Sequence, residues 1–493
     1  MKPDPHIYYV QSELPLAKLE SHLDSLQKAN TYKQFLPSCI NSQNIINEVN
    51  APVIIADPLQ SPIIEIIENF FKSNSDYKYH EALHKITLCG TGKLGYHVDL
   101  CDHCVATKII PNTCSHSLCP VCQKRKSDKW IAKRITELLP VPYFQIIFKL
   151  PAFLSLLTML NKKIVFDIFI MSVASAMNKI PNDNQMKIGF IICLQTSGNN
   201  LWFHPHIHIA MLGVAITEKG ELIHYATKES LPFDKDFLSK QFQDEFLSKL
   251  EEAYVNQGAE NNNVDIEPND DPEKLYLENE KQLNWPSELK HLEKDKDAFI
   301  SWIKECKATG NWEVFIGDAT TANDASNILS YICQQVPISD DQIVESDMDT
   351  VIFKDKNGEK IELSTEEFIR RLTTHVMPSS YHRIRNCGFL SNGIKDKNLI
   401  KIRGILGCTE EPKEFNEEKK CDFCCEGQMR TVAVLLGGET VKVCEKNIKK
   451  LKTIPSWLSI LAKIKSLRDA QSEILEFIPD WLIKLIQSID DDL

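Results

Sequence analysis

No stretch of this sequence is apolar for the roughly 18 residues that a membrane-spanning helix needs. The opening, MKPDPHIYYVQSELPLAKLE, has no apolar core of signal-peptide length. Together these absences point to a cytoplasmic protein, and a bacterial one. Positive charge is also in short supply: 56 Lys and Arg face 68 Asp and Glu, for a net charge of −12. A chain so acidic lacks the uniformly basic surface that nucleic acid selects, so any such contact has to be local. No internal repeat is present, which excludes a solenoid.

What is there fits an ordinary globular protein. The 493 residues, 43% hydrophobic and 25% charged, suffice for two to four domains, each with its own core. The charge is uneven. Residues 241–300 hold 16 acidic and 6 basic side chains, whereas residues 81–150 hold 5 acidic and 10 basic. The basic segment can hold a polyanion while the acidic one lowers the total.

Sixteen cysteines in a reducing compartment favour metal binding over disulfides, above all where they cluster. Between positions 89 and 122 the ligand-type residues are Cys89, His97, Cys101, His103, Cys104, Cys114, His116, Cys119 and Cys122. Cys101/Cys104 and Cys119/Cys122 are two C-x2-C turns with 14 residues between them. Each turn aims two thiolates at one ion, so the two are expected to complete one tetrahedral, structural Zn²⁺ site. Cys89, His97, Cys114 and His116 supply a second site or exchange with the first four. Lys124, Arg125, Lys126, Lys129, Lys133 and Arg134 follow at once on a helical pattern ended by Pro140 and Pro142. Phosphate contact is the natural use of such a helix, and a solvated face is the alternative.

Further on, KIGFIICLQ and LWFHPHIHIAML are strand-like runs separated by TSGNN, which is turn chemistry, and they predict a hairpin. Along the second run His204, His206 and His208 alternate, so a strand turns all three to one face while Ile207 and Ile209 face the core. Two imidazoles at i and i+2 can chelate a divalent ion, for which imidazole suits zinc or manganese better than magnesium. Past a polar acidic stretch, NDASNILSYICQQ reads as a helix with Asn323 or Asp324 as N-cap. TVIFKDKNGEKIELS reads as a hairpin turning at Asn-Gly.

The stretch from CGTGKLGYHVDLCDHC through SLCPVCQKRK to LLPVPYFQIIFKLP resembles the zinc-binding domain of the IS91 family of insertion-sequence transposases. NNLWFHPHIHIAMLG resembles that family's His-hydrophobic-His motif, and ILSYICQQV its tyrosine helix. EEFIRRLTTHVMPSSYHRIRNCGFLSN and the tail pair Cys421/Cys424 extend the similarity to about position 430. The resemblance implies a nuclease domain on a central antiparallel sheet. In it His206 and His208 would hold Mg²⁺ or Mn²⁺, and Tyr331 would attack single-stranded DNA at element ends in rolling-circle transposition. It further implies association with the nucleoid when DNA is bound, with host replication proteins as further partners. His204, on the same strand face, and Gln195, across the hairpin, are the candidates for a third ligand. Arg383 and Arg385 are candidate phosphate contacts beside Lys124, Arg125, Lys129, Lys133 and Arg134, and Tyr381 is an alternative nucleophile. The chain departs from the family in three ways: Gln335 stands where a second tyrosine is common, Leu118 where a histidine is, and the insert around Asn256 to Glu280 with the acidic balance is unusual for a DNA-mobilising protein.

The expected architecture is α+β. Residues 1–60 form a lead-in, 61–140 a zinc-binding DNA-recognition domain, and 141–410 the catalytic domain with an acidic insert at about 250–285. Residues 411–493 form a tail with cysteines and a helical finish. A non-cutting, zinc-dependent DNA binder derived from such a transposase is the alternative.

Overall fold

The computed structural model describes residues 7–11, 49–56, 59–74, 80–180, 186–224, 234–256, 283–309, 312–333, 336–408, 419–436, 440–452 and 458. The middle of the acidic insert, Gln335 and nearly all of the C-terminal helical pattern therefore lie outside the described residues. Two compact units result, Met1–Cys122 with Asn416–Leu493, and Gln123–Phe415. The expected separate tail is thus part of the N-terminal unit.

The first unit is built on a seven-stranded sheet. Strand Tyr96–Cys101 pairs with Thr107–Pro111 on one side and with Gln428–Leu436 on the other, Met429 standing opposite Cys101. Helix Pro62–Ser73 belongs to this unit. Ser61 caps it by accepting the Ile64 N–H, Pro62 opens it, and Ile63, Ile64, Ile66, Ile67 and Phe70 form its buried stripe. Such a cap contributes ~1 kcal/mol.

The second unit is organised around an antiparallel sheet in the order Ile384–Gly388, Met186–Ser197, Phe203–Thr217, Tyr143–Lys149, Val314–Ile316. The predicted hairpin is its centre. Strand alternation divides the side chains between two faces. Phe148, Phe190, Ile192, Ile207, Ile209 and Met211 point to one, where helices Lys162–Asn178 and Lys235–Asn256 cover them. Cys193, Ala210, Leu212 and Tyr143 point to the other, where Ala325, Ile328, Leu329 and Ile332 of helix Ala322–Ile332 pack on them. That i, i+3, i+4, i+7 spacing is one helical face, which fixes how the helix lies on the sheet. It starts at Ala322 after Thr321, slightly earlier than the expected cap.

A smaller three-stranded sheet, Ile343–Ser346, Thr350–Lys354 and Lys360–Ser364, precedes helix Thr365–Thr373. The α+β class holds for both units. Among the described residues no helix is long and apolar enough to cross a membrane.

Candidate metal centres and the histidine face

The cysteines group differently from their spacing. Cys89, Cys114, Cys119 and Cys122 form one tetrad, and Cys101, Cys104, Cys421 and Cys424 form the other. The two C-x2-C turns between positions 101 and 122 therefore do not share an ion, and the tail pair completes the set for Cys101/Cys104. Strand pairing is the cause: Gln428–Leu436 laid against Tyr96–Cys101 brings the tail turn beside the first one.

In the first tetrad the sulfur separations are 3.6 Å for Cys89–Cys122, 3.7 Å for Cys114–Cys122 and 3.5 Å for Cys119–Cys89. In the second they are 3.7 Å for both Cys101–Cys424 and Cys104–Cys421. A tetrahedron with zinc–sulfur bonds of ~2.3 Å has edges of about 3.8 Å, whereas a disulfide needs about 2.05 Å, so both sets fit zinc. Backbone N–H groups already point at the sulfurs. Cys114 and Ser115 donate to Cys89 and Cys122 at 3.4 and 3.2 Å, and His103 and Cys104 both donate to Cys101 at 3.4 Å. Gly427 donates to Cys424 at 3.3 Å, and a Cβ on Gly427 would come within 2.5 Å of the Cys101 sulfur, so only glycine fits there.

Without an ion, four crowded thiols are in conflict. Hydrogen bonds with Cys114, Cys119 and Cys89 drive the Cys122 thiol far down, while contacts with Cys114, Cys122 and Cys89, and burial, drive Cys119 up. A divalent cation removes the conflict by favouring the thiolate at every position. With four protein ligands neither centre keeps an open position, so their role is structural.

The remaining candidates from this stretch do other work. The His97 Nδ1 lies 3.2 Å from the Asn112 side-chain oxygen, outside both tetrads. His116 accepts the Leu118 N–H at 3.2 Å, and His103 pairs with Glu426 at 3.3 Å. On helix Pro120–Ile135, Lys124, Arg125, Lys129 and Lys133 are exposed, Lys124 paired with Asp128. Arg134 is buried, bound to Glu137 at 2.7 Å, and so holds the fold instead of reaching phosphate.

On the large sheet, His204, His206 and His208 share one face as predicted, with ring centroids 5.8 and 4.8 Å apart in sequence order. Gln195 and Lys149 stand opposite His206, and Cys193 and Ile147 opposite His208. A bulge between Gln195 and Ser197 re-aims the hairpin at this point. Burial, assisted by nearby Lys356, holds His206 down to about 3 and, with the neighbouring His206 ring, His208 down to about 2. Both rings are therefore neutral at pH 7, as metal ligation requires. The His206 Nδ1 donates to the His204 carbonyl at 2.7 Å, which leaves the lone pair on Nε2. The His208 Nδ1 lies 3.3 Å from the Gln145 side-chain amide. A neutral imidazole pair oriented in this way fits a divalent ion.

Tyr331 lies in the last turn of helix Ala322–Ile332, which packs on the same sheet face as the histidines. The helix end is tied down through carbonyls that the helix itself leaves unsatisfied. Gln195 donates to the Ile332 carbonyl at 3.1 Å, and Ser127 to that of Cys333 at 2.9 Å. Gln195, opposite His206, thus spends its amide N–H on the tyrosine helix, and its carbonyl oxygen receives Lys356 at 3.3 Å. It acts as a tie between elements.

Arg385 pairs in register with Ile192, which puts it on the opposite face, bound to Asp167 at 2.6 Å. Tyr381 donates to the same carboxylate at 3.1 Å, so neither belongs to the histidine face. Arg383 is buried and donates to Gln123 at 3.4 Å. Sequence reasoning missed Lys356, which carries no motif and whose hairpin shows only as an Asn-Gly turn.

Two family models match the chain: "Transposase zinc-binding domain" over residues 63–150 and "Putative transposase" over residues 189–398. A putative transposase of Sinorhizobium fredii is 29% identical over 380 residues, 71% of this chain and 88% of that protein. The transposase for insertion sequence element IS801 of Pseudomonas savastanoi pv. phaseolicola is 23% identical over 337 residues, 66% of this chain and 73% of that protein. No solved structure matches.

Proposed function

Because the chain belongs to the IS91 family of transposases, we propose that it cuts and joins single-stranded DNA at element ends through a covalent link to Tyr331. The observation that carries this reading is the hydrogen bond from Gln195 to Ile332, which fastens the tyrosine-bearing turn to the strand opposite His206.

His206 and His208 would hold the divalent ion, Mn²⁺ or Mg²⁺, which when bound draws charge from the scissile phosphate. A free phenol has a pKa of about 10, so a tyrosine nucleophile must lose its proton as it attacks. Its oxygen bonds to phosphorus, and the bond from phosphorus to the 3′ oxygen breaks. That oxygen keeps the electron pair, takes a proton and departs as a 3′ hydroxyl, while the 5′ end stays on the tyrosine. Attack on this phosphotyrosine by another 3′ hydroxyl reverses the step and joins strands without an outside energy source. The tetracysteine unit would supply DNA recognition. Arg125, Lys129 and Lys133 on helix Pro120–Ile135 would add phosphate contacts.

The test is a covalent-adduct assay with labelled single-stranded DNA from the element's own ends and Mn²⁺, resolved on a denaturing gel. Wild type should form an adduct that Tyr331→Phe and His206→Ala/His208→Ala both lose. DNA binding by wild type with no adduct would leave a zinc-dependent DNA binder in place of an enzyme.

A further inference from the structure

We propose that Lys356 is a catalytic residue of this site, an ammonium that contacts a non-bridging oxygen of the scissile phosphate. The inference rests on the cleavage reading above. Lys356 sits in the turn between strands Thr350–Lys354 and Lys360–Ser364, and that turn is braced by its own hydrogen bonds. The Asp355 carboxylate accepts the N–H groups of Asn357 and Glu359 at 2.8 and 2.9 Å, and Gly358 takes the positive φ of 86° that the turn demands. From this mount the Lys356 side chain runs to the histidine face, where its Nζ donates to the Gln195 Oε1 and to the Ser197 carbonyl, both at 3.3 Å.

Both partners are neutral oxygens, and both bonds are longer than the ~2.8 Å typical of a charge-assisted contact. The ammonium therefore has a stronger partner to gain. Its field reaches all three strand histidines, His204, His206 and His208. Lys149 adds a second positive charge felt by His204 and His206, but Glu313 answers it at 2.8 Å. A divalent cation held by the two neutral imidazoles would repel the ammonium unless an anion lay between them. A scissile phosphodiester would supply that anion, with a non-bridging oxygen available to Lys356. As the phenol oxygen adds, negative charge accumulates on the non-bridging oxygens, and a fixed cation stabilises the transition state more than the ground state. The Lys356–Gln195–Ile332 hydrogen bonds also set that charge against the turn that carries Tyr331.

The experiment measures single-turnover adduct formation with Mn²⁺ for wild type, Lys356→Gln, Lys356→Arg and, as control, Lys354→Met, Lys354 and Lys356 both being exposed lysines of this hairpin. Affinity for the same DNA is measured with Ca²⁺ in place of Mn²⁺. Lys356→Gln should slow the adduct by about 10²-fold, the scale of losing one preorganised charge donor, with affinity changed less than about threefold. Lys356→Arg should recover part of the rate, and Lys354→Met should match wild type. The distinguishing readout is a methylphosphonate at the scissile position, which removes the charge of one non-bridging oxygen. In one stereoisomer the gap between wild type and Lys356→Gln should shrink toward unity. Should Lys356→Gln fail to fold, the same comparison with Lys356→Arg serves, its deficit again shrinking with one stereoisomer only. Wild-type rate in Lys356→Gln, an equal loss in Lys354→Met, or a gap unchanged by methylphosphonate overturns the proposal alone. Absence of an adduct from wild type removes the cleavage reading and this proposal with it.

Discussion

The two cysteine tetrads each hold four thiols at nearly the same separations, yet they do different mechanical jobs. Cys89, Cys114, Cys119 and Cys122 lie within one stretch of chain, the outermost pair 33 positions apart, and all four are buried. Cys104 and Cys421 are 317 positions apart, and two of the four members of that tetrad, Cys104 and Cys424, are partly exposed. The first centre organises a local module. The second fastens the strand Gln428–Leu436 to Tyr96–Cys101 and so closes the unit across most of the sequence. Closing a loop about ten times longer costs roughly 2 kcal/mol more entropy in an unfolded chain. The zinc and the strand pairing have to offset that cost together.

The largest effect that would break this comparison is loss of the buried centre. Cys119→Ser leaves three crowded thiols around an incomplete ion, and the expected outcome is a chain that is insoluble or lacks a cooperative unfolding transition. Soluble Cys119→Ser with an unchanged melting profile would show that this tetrad does not need its zinc. Next in size is the second centre. Cys421→Ser/Cys424→Ser should lower bound zinc from two ions per chain to one, by elemental analysis, and make the segment after position 416 open to protease. A chelator applied to wild type should remove the zinc in two phases, the partly exposed centre first. A single phase would mean that the difference in burial carries no kinetic consequence.

The same contrast between local and long-range placement separates what is legible in the sequence from what is not. The histidine strand is readable because alternation over five residues is a local property: His204, His206 and His208 share a face for the reason that Ile207 and Ile209 do not. The helix of Tyr331 is readable from its apolar spacing. The zinc ligands are readable as residue types but not as sets, since two C-x2-C turns near each other suggest one ion. Only the pairing of Met429 with Cys101 reassigns them. Arg385 looks available for DNA until its strand register turns it to the far face toward Asp167. Lys356 has no signature at all, because its position depends on a second sheet whose docking no local pattern reveals.

A smaller effect tests the basic helix, where exposure divides residues that look alike in sequence. Replacing Arg125, Lys129 and Lys133 by Gln should weaken binding of single-stranded DNA. It should also reduce the slope of log affinity against log salt by up to about 2, roughly 0.7 for each phosphate no longer neutralised. Arg134→Gln should leave that slope alone and lower stability instead, since Arg134 is buried against Glu137 and lies over the Trp130 ring. Equal salt slopes for the triple variant and wild type would remove this helix from the DNA surface.

The smallest effect concerns His375, which contrasts with the histidines on the strand because both its nitrogens are engaged by the fold. Its Nδ1 meets the Thr196 hydroxyl at 3.0 Å and its Nε2 the Leu201 carbonyl at 3.2 Å, so it pins the end of the hairpin that carries His206 and His208. Burial holds its pKa down to about 3, against about 6.5 in an unfolded chain. The unfolded state therefore binds a proton that the folded state refuses. The stability contributed by neutral His375 is complete above about pH 6.5 and is lost as pH falls toward about 3, at up to about 1.4 kcal/mol per pH unit. Urea unfolding at pH 7, 6 and 5 should show this loss in wild type and a shallower dependence, by about one proton, in His375→Gln. An identical pH slope in the two proteins would mean that the imidazole is protonated in the folded state as well, and that the hairpin end is held by something other than these two hydrogen bonds.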